Sequence, residues 1–344
     1  MPFTLIASVV RVPWHSSHGG YDRLLDYLPE AHRIVPPASR WSRAAADTAH
    51  RLAGPRCPLP FYPPDHFATD LRVLASRRPA HVLYGEEQFW FSRHRTAPTA
   101  VTYHQPAAHL ATLLPPATWR DLVPRANQII VLESGQHAFF ADRTDPKRVH
   151  LIPHGIDTTA FTPANAATEG QRPLVLTVGW WLRDWDLLHD VHRCLHERHG
   201  THVDLAVVTR RGTQRPWHPA ARVLHDLTEP ALTALYQRAA AVLLPLTDAT
   251  ANNALLEAMA CGAPVVATDI GGIRHYADDG QGTLLVPPGD VLSAADSVET
   301  LLTEWGTSTH TARRHAARRR AEDFAWPRVA AQVRAVYRLL EEER

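Results

Sequence analysis

The sequence predicts an α/β protein in two halves, each a parallel sheet with helices on both faces. Three observations carry that prediction. At 344 residues the chain is about twice the usual domain size. Short β-branched or aromatic runs alternate with helix-like stretches, a pattern that builds parallel sheets. The alternation then restarts after a polar, small-residue stretch at 163–173, which suits an interdomain linker.

Each element follows from its residues. In the first half, 4–10, 81–84, 100–103 and 128–132 read as strands, each short, apolar and closed by polar or turn residues. Residues 20–28 and 68–77 between them read as helices. In the second half a strand at 174–178 precedes a helix at 186–199, a strand at 203–208 and a helix at 229–239. A strand at 241–245, a helix at 254–261 and a strand at 264–267 complete it. The tail is helical at 311–320 and 326–343. The break falls at Trp326-Pro327, because proline fits a first helical turn. Val329, Val333, Val336, Leu339 and Leu340 share one face of the last helix.

Composition excludes several classes of function. Lys+Arg is 36 and Asp+Glu 35, a net charge of +1, which argues against nucleic acid as partner. Cys57, Cys194 and Cys261 are too few and too scattered for a disulfide framework or a zinc quartet. No run approaches the roughly 20 apolar residues of a membrane span, and 3–12 lacks the features of a signal peptide, so a cytoplasmic protein is expected. The arginine run within 313–320 is offset by Glu322 and Asp323, so no peripheral membrane contact is expected. His189, His192, His196 and His199 share a helix face without the zinc-protease spacing, and no metal site is expected there or at Asp184-Trp185-Asp186.

The stretch ATANNALLEAMACGAPVVATDIGG (249–272) carries the most chemistry. An asparagine-containing turn opens a helix, where unpaired amides and the positive end of the dipole suit a diphosphate. Asn252, Asn253, Ala254 and Leu255 stand at that opening, with Asp248 just before it. Glu257 lies one turn further in, at a depth suited to accepting hydrogens from a ribose diol. Gly262 suits the left-handed position after the helix.

This stretch strongly resembles the donor-binding segment of glycosyltransferase family 4, also called group 1. LIPHGIDTTAFTP (151–163), LTEPALTALYQRAAAVLLP (227–245) and FAWPRVAAQVRAVYRLL (324–340) are similar to that family's interdomain segment, pre-loop helix and strand, and closing helix. The likeness covers most of 151–344 and is thin over 1–150. It implies a GT-B fold: two Rossmann-like domains facing across a cleft. The N-terminal acceptor domain would span 1–160 and the nucleotide-sugar donor domain 170–322. The helix 323–344 would return to the first domain.

The resemblance also implies an activity and its residues. It implies metal-independent transfer of a sugar, with retention, from a nucleoside-diphosphate sugar to a small-molecule or glycan acceptor. No cofactor is expected, and UDP or GDP is the favoured nucleotide. Glu257 would hold the ribose. His104, ending the strand in VTYHQP, would be the family's strand-end histidine. Gly19 and Gly20 would form its glycine-rich loop, and Gly179 its strand-end glycine. Apart from the resemblance, Glu86 and Glu87 sit past a strand end, where they would orient an acceptor hydroxyl, and Trp14, Tyr21, Phe89, Trp90 and Phe91 would stack on the acceptor.

The chain departs from the family at three positions. Ala249 replaces a glutamate that grips the donor sugar. Trp180 and Trp185 replace the Arg and Lys that grip the diphosphate. Arg183 is the nearest cation left, with Arg210 and Arg211 as substitutes. Natural-product biosynthesis of the aminoglycoside type is one expectation. A GT-B relative with epimerase or phosphorylase chemistry, or a noncatalytic nucleotide-binding protein, are the alternatives.

Overall fold

The computed structural model describes residues 4–10, 17–164, 171–213, 215 and 217–343. Trp14 and the middle of the expected linker lie outside them. The chain forms two compact units. The first draws on 1–15, 20–155 and 326–344, and the second on 16–19 and 156–325.

The first unit begins with strand β1 (Leu5–Ser8) and β2 (Ala31–Ile34), then α1 (Arg40–Ala53), α2 (Pro64–Ala75) and β3 (Ala80–Val82). Next come the short α3 (Gly85–Gln88), β4 (Thr99–Tyr103), α4 (Ala107–Leu113), α5 (Pro116–Leu122), β5 (Gln128–Val131), α6 (Ser134–Ala141) and β6 (Val149–Leu151). All pairings in its sheet are parallel, in the order β2-β1-β3-β4-β5-β6. Every residue of β1, β3, β4 and β5 is buried, as strands covered on both faces require. The expected helix at 20–28 is instead a 3-10 segment, Tyr21–Tyr27, entered through Gly20 at φ 96°.

The second unit runs β7 (Leu174–Val178), α7 (Trp185–His199), β8 (Asp204–Val208), β9 (Ala221–Leu224), α8 (Glu229–Arg238), β10 (Ala239–Leu244) and α9 (Asn253–Ala260). It closes with β11 (Val265–Thr268), α10 (Ile273–Tyr276), β12 (Thr283–Val286), α11 (Val291–Glu304) and α12 (Ser308–Asp323). Its sheet is likewise parallel, in the order β12-β11-β10-β7-β8-β9. The last helix, α13 (Trp326–Glu342), belongs to the first unit. Val329, Val333, Val336 and Leu340 are buried on its inner face as expected; Leu339 is only half-buried, and Tyr337 takes its place. The Tyr337 hydroxyl pairs with His81 Nδ1 at 2.8 Å, and Arg334 donates to Glu30 Oε1 at 2.6 Å.

Two motif residues prove to be structural. A side chain on Gly155 would stand 2.2 Å from the Trp326 ring, so only glycine fits. Asp157 accepts from the Thr159 and Ala160 amides and the Thr159 hydroxyl at 2.7–3.0 Å, which fixes a turn and holds its carboxyl below the usual range despite its burial.

Both sheets switch direction at a defined place. In the second unit the chain runs outward through β7, β8 and β9, then returns to the other side of β7 with β10. The loops leaving β7 and β10 therefore flank the point where the strand order reverses, and ligands of open α/β sheets bind at such a switch. In the first unit the corresponding loops follow β1 and β3.

Candidate functional site

The switch of the second sheet brings together loops 179–184 and 245–252. They are laced by backbone: Asp184 N donates to Pro245 O at 3.0 Å and Thr247 N to Leu182 O at 3.1 Å. Gly179 has φ +113°, and a side chain there would come within 2.3 Å of Arg183 Nη2. The Arg183 guanidinium folds back over that space. Its Nε and Nη2 donate to Val178 O at 3.1 and 2.6 Å, and Nη1 to Trp181 O at 3.1 Å. Burial lowers its pKa to about 10, so it stays cationic at neutral pH. Leu182 takes a positive φ of 53°, so the loop holds a conformation that side chains disfavour.

The tryptophans at the departed positions have partners of their own. Trp185 opens α7 with its ring edge-on to Trp217, centroids 5.1 Å apart. Trp180 lies edge-on to Trp181 at 5.6 Å, and the Arg210 guanidinium is 5.4 Å from the Trp180 centroid. Arg211 is engaged with Asp226 at 2.7 Å from its Nε. Asp184 accepts from Leu187 N at 3.0 Å as the cap of α7.

On the other loop, Asp248 Oδ1 accepts from Ala249 N at 2.8 Å. Gly271, at φ +53°, presses on this loop: a side chain there would stand 2.1 Å from Ala249 O. Ala249 is itself buried in the apolar cluster of the second unit. Asn252 caps α9, its Oδ1 accepting from Leu255 N at 3.2 Å. The Leu255 amide is thereby engaged, whereas among the described residues the Asn253 and Ala254 amides have no acceptor. Those two amides are the ones an anion can take.

Glu257 lies one turn further along α9. Its Oε2 accepts from the buried Tyr236 hydroxyl at 3.0 Å, and among the described residues Oε1 has no partner. Burial raises its pKa to about 7; the Tyr236 bond opposes this and the Glu229 charge adds to it. The far end of α9 is held by α12. Gly262 N bonds to Met259 O and Ala263 N to Ala258 O, the pattern left-handed glycine permits. Arg318 donates to Ala260 O at 2.9 Å and Arg314 to Cys261 O at 3.4 Å, so these two arginines cap the helix.

In the first unit, His104 follows the end of β4. Its ring stacks on Tyr84, centroids 4.4 Å apart, and meets Tyr21 edge-on at 4.7 Å. Nε2 lies 2.7 Å from Leu83 O, and since a carbonyl only accepts, Nε2 carries the hydrogen. Glu86 braces the same turn: its Oε1 accepts from His104 N and Gln105 N at 2.9 and 3.1 Å. Burial, with Glu87 next, raises its pKa to about 8. Glu87 is raised by burial to about 7, and its carboxylate lies 3.7 Å from His66 Nδ1. Sequence reasoning missed Asp70, which accepts from Tyr62 Oη and the amides of Trp90, Phe91 and Ser92 at 2.5–3.2 Å. A lone aspartate in a helix gives no signal of such a hub. Phe89 is buried in the core, and Phe91 packs edge-on against Phe67.

Gly20 opens the 3-10 segment of the first unit, and Gly19 is buried in the second unit beside His18, whose amide donates to Glu229 at 2.8 Å. Of the helix histidines, His199 pairs with Glu299 at 2.6 Å, and burial lowers His192 to about 3. Among the described residues no group of His, Cys, Asp or Glu is placed to hold a metal, and no helix is long and apolar enough to cross a membrane.

Comparison with known proteins agrees with this architecture. The sequence profile of the glycosyl transferases group 1 matches residues 172–304. The D-inositol 3-phosphate glycosyltransferase of Salinispora tropica is 28% identical over 251 residues, 63% of this chain and 52% of that protein. The chain spans about half the length of the first curated relatives it matches. Sucrose-phosphate synthase from Thermosynechococcus elongatus superposes with a TM-score of 0.73 at 17% identity, over 99% of this chain and 100% of that one. HepE of Anabaena, solved with UDP, gives 0.70 at 15%, over 97% and 99%. The fold is GT-B, and residues 172–304 are similar to the group 1 glycosyl transferases.

Proposed function

We propose that this chain transfers a hexosyl group, with retention and without a metal ion, from a nucleoside-diphosphate sugar to a small-molecule or glycan acceptor. The observation that carries the reading is the paired arrangement on α9. Two unengaged amides stand at its opening, and a carboxylate with one uncommitted oxygen stands one turn inside. Glu257 accepts the ribose hydroxyl hydrogens, as a charge-assisted pair of bonds. The Asn253 and Ala254 amides take the diphosphate. The buried positive charge of Arg183 stabilises it electrostatically as the anomeric bond breaks and negative charge grows on the leaving group. Asp248 and Asn252 flank the donor sugar in place of the glutamate that Ala249 replaces. On the first unit, His104 holds a sugar or acceptor hydroxyl, with Tyr21 and Tyr84 fixing the ring and Glu86 fixing the turn that carries it. A uridine diphosphate sugar is the first donor to test, since HepE of the same fold was solved with UDP, and GDP sugars are the next. A cytoplasmic, specialised biosynthetic role fits these assignments.

The test is thermal stability with UDP, GDP, ADP and dTDP, in EDTA and again with magnesium. A nucleotide at 100 times its Kd stabilises by about 2.7 kcal/mol. One nucleotide shifting the wild type but not Glu257→Ala, without magnesium, supports the donor site. Nuclear magnetic resonance of the product's anomeric proton then reads retention. No shift from any nucleotide favours the noncatalytic alternative, for which the Arg183 bonds to Val178 and Trp181 are the structural motive. Sugar released or epimerised without an acceptor favours a GT-B relative with other chemistry.

A further inference from the structure

The two sheets end in four edge strands, and three of them carry a device against further pairing. β2 and β9 bear Arg33 and Arg222, charges of the kind that blunt an edge. β12 is covered by its own loop: Leu285 N donates to Asp279 Oδ1 at 3.0 Å and Gly280 N to Thr283 O at 2.8 Å. Among the described residues β6, with the sequence VHL, has neither device. It pairs with β5 alone. Ile152 N donates to Val131 O at 2.9 Å, so by the period of two Val149 and Leu151 turn their backbone away from the sheet. The Val149 amide is used by the turn at Pro146, which leaves the Val149 carbonyl and the Leu151 amide facing outward.

Beside this edge a groove of about 650 Å³ runs between β6 and α13, with Val149, Leu151, Leu339, Arg338 and Glu342 in its walls. Leu151 is 37% exposed and Leu339 half-buried. Arg338 and Glu342 are exposed and stand four apart on α13, yet they are not paired with each other. Among the described residues neither has an ion-pair partner. Opposite charges placed so on one helix suit a second copy of the chain. A two-fold axis between them turns the helix end for end and brings each Arg338 to the second copy's Glu342. The bare edge calls for the same axis. Trp326 packs on Gly155 beyond the end of β6, while Glu343 is bonded to Asn127 and Gln128 at 2.5 Å at the start of β5, so α13 runs against the strands. Leu339 lies four residues back from Glu343, about 6 Å along the helix. His150 lies two residues beyond the level of Gln128, about 6.6 Å along the strand. One axis passing His150 and Leu339 therefore serves strand and helix together. It sets each Leu151 amide against the second copy's Val149 carbonyl, an antiparallel pair.

We propose that two copies of the chain associate edge to edge through β6, with their α13 helices side by side and antiparallel, Leu151 and Leu339 of each filling the groove of the other. The test is sedimentation velocity of the full chain over a dilution series reaching about 100 μM. A concentration-dependent dimer is expected. Arg338→Glu and Glu342→Arg each set like charges against one another on both sides of the axis, and each raises the dimer Kd at least about tenfold. Mixed in equal amounts the two variants restore the dimer, because each supplies the charge the other lacks, and the double variant restores it as well. Leu151→Pro removes the outward amide, a change that an edge position tolerates, and abolishes the dimer. The two charge positions are exposed, so unchanged melting confirms that the fold survives. A monomer throughout the series overturns the proposal, as does a dimer that either both charge variants or a folded Leu151→Pro leaves intact. So does a mixture of the charge variants that stays monomeric, because Arg338 and Glu342 then do not face each other across a two-fold axis.

Discussion

Replacing Glu257 by glutamine should make the protein more stable above neutral pH, and the size of the effect follows from the site. In the unfolded chain Glu257 loses its proton near its ordinary 4.5, and in the fold it keeps it until about 7. Between these values the folded state holds more protons than the unfolded one, so stability falls as pH rises. The contribution is complete below 4.5 and gone once pH has passed 7. At about 1.4 kcal/mol per factor of ten, the interval is worth about 3 kcal/mol. Glutamine has nearly the same shape, offers Tyr236 an acceptor and never ionises. Urea denaturation of both proteins from pH 4 to 8.5 should give matching stabilities at the acid end. Near pH 8 Glu257→Gln should be ahead by about 3 kcal/mol. Parallel curves would show that the carboxylate is solvated, and the account of a desolvated group waiting for ligand hydrogens would fail. The excess stability of the variant is the counterpart of its expected failure to bind nucleotide, a common relation at functional sites.

Nucleotide binding should release close to one proton at pH 6 and almost none at pH 8.5, because the diol needs the ionised Glu257; calorimetry in buffers of different ionisation enthalpy measures this. Tyr236→Phe removes the hydroxyl that orients Glu257 and should weaken nucleotide binding about tenfold at pH 8, by the worth of one bond to a charged group. Gly271→Ala puts a methyl 2.1 Å from Ala249 O at a positive φ; the loop must shift, and the nucleotide-induced thermal shift should vanish at a stability loss of about 2 kcal/mol or more. Asp70→Ala strands one hydroxyl and three amides, and should destabilise the first unit by at least about 3 kcal/mol while leaving the nucleotide shift of the second unit in place.

What the sequence disclosed about the sheets has a simple physical origin. The strands read correctly, β1, β3, β4, β5, β7, β8, β10 and β11, are the interior strands, apolar almost throughout because both faces are covered. The four that were missed, β2, β6, β9 and β12, are the edges. Ala31–Ile34 is AHRI and Ala221–Leu224 is ARVL, half-exposed sequences with neither a continuous run nor a clean alternation. The 3-10 segment after Gly20 was read as an α-helix because its leucines and tyrosines have helical spacing. Composition cannot register the φ of 96° at its entrance. The cap, helix and terminal glycine of α9 were legible because they are local in sequence. The direction of the Arg183 side chain was not, since it depends on the space Gly179 leaves.

The buried glutamates show best what geometry adds. Glu86 and Glu257 were both read as groups for ligand hydroxyls, and burial raises both, to about 8 and about 7. Their free atoms differ. Glu86 gives Oε1 to two amides, and Oε2 is buried with no partner among the described residues. It is therefore held near neutrality as an acid and braces the turn that carries His104. Glu257 likewise has one oxygen engaged, by a side-chain hydroxyl, and among the described residues its other oxygen has no partner. A ligand arriving at Glu86 finds one oxygen engaged by the loop and the other buried. One arriving at Glu257 finds an acceptor whose ionisation it can itself induce. The consequence is measurable: Glu86→Gln should keep nucleotide binding and its proton release intact and change acceptor kinetics only through the position of His104, whereas Glu257→Gln removes both.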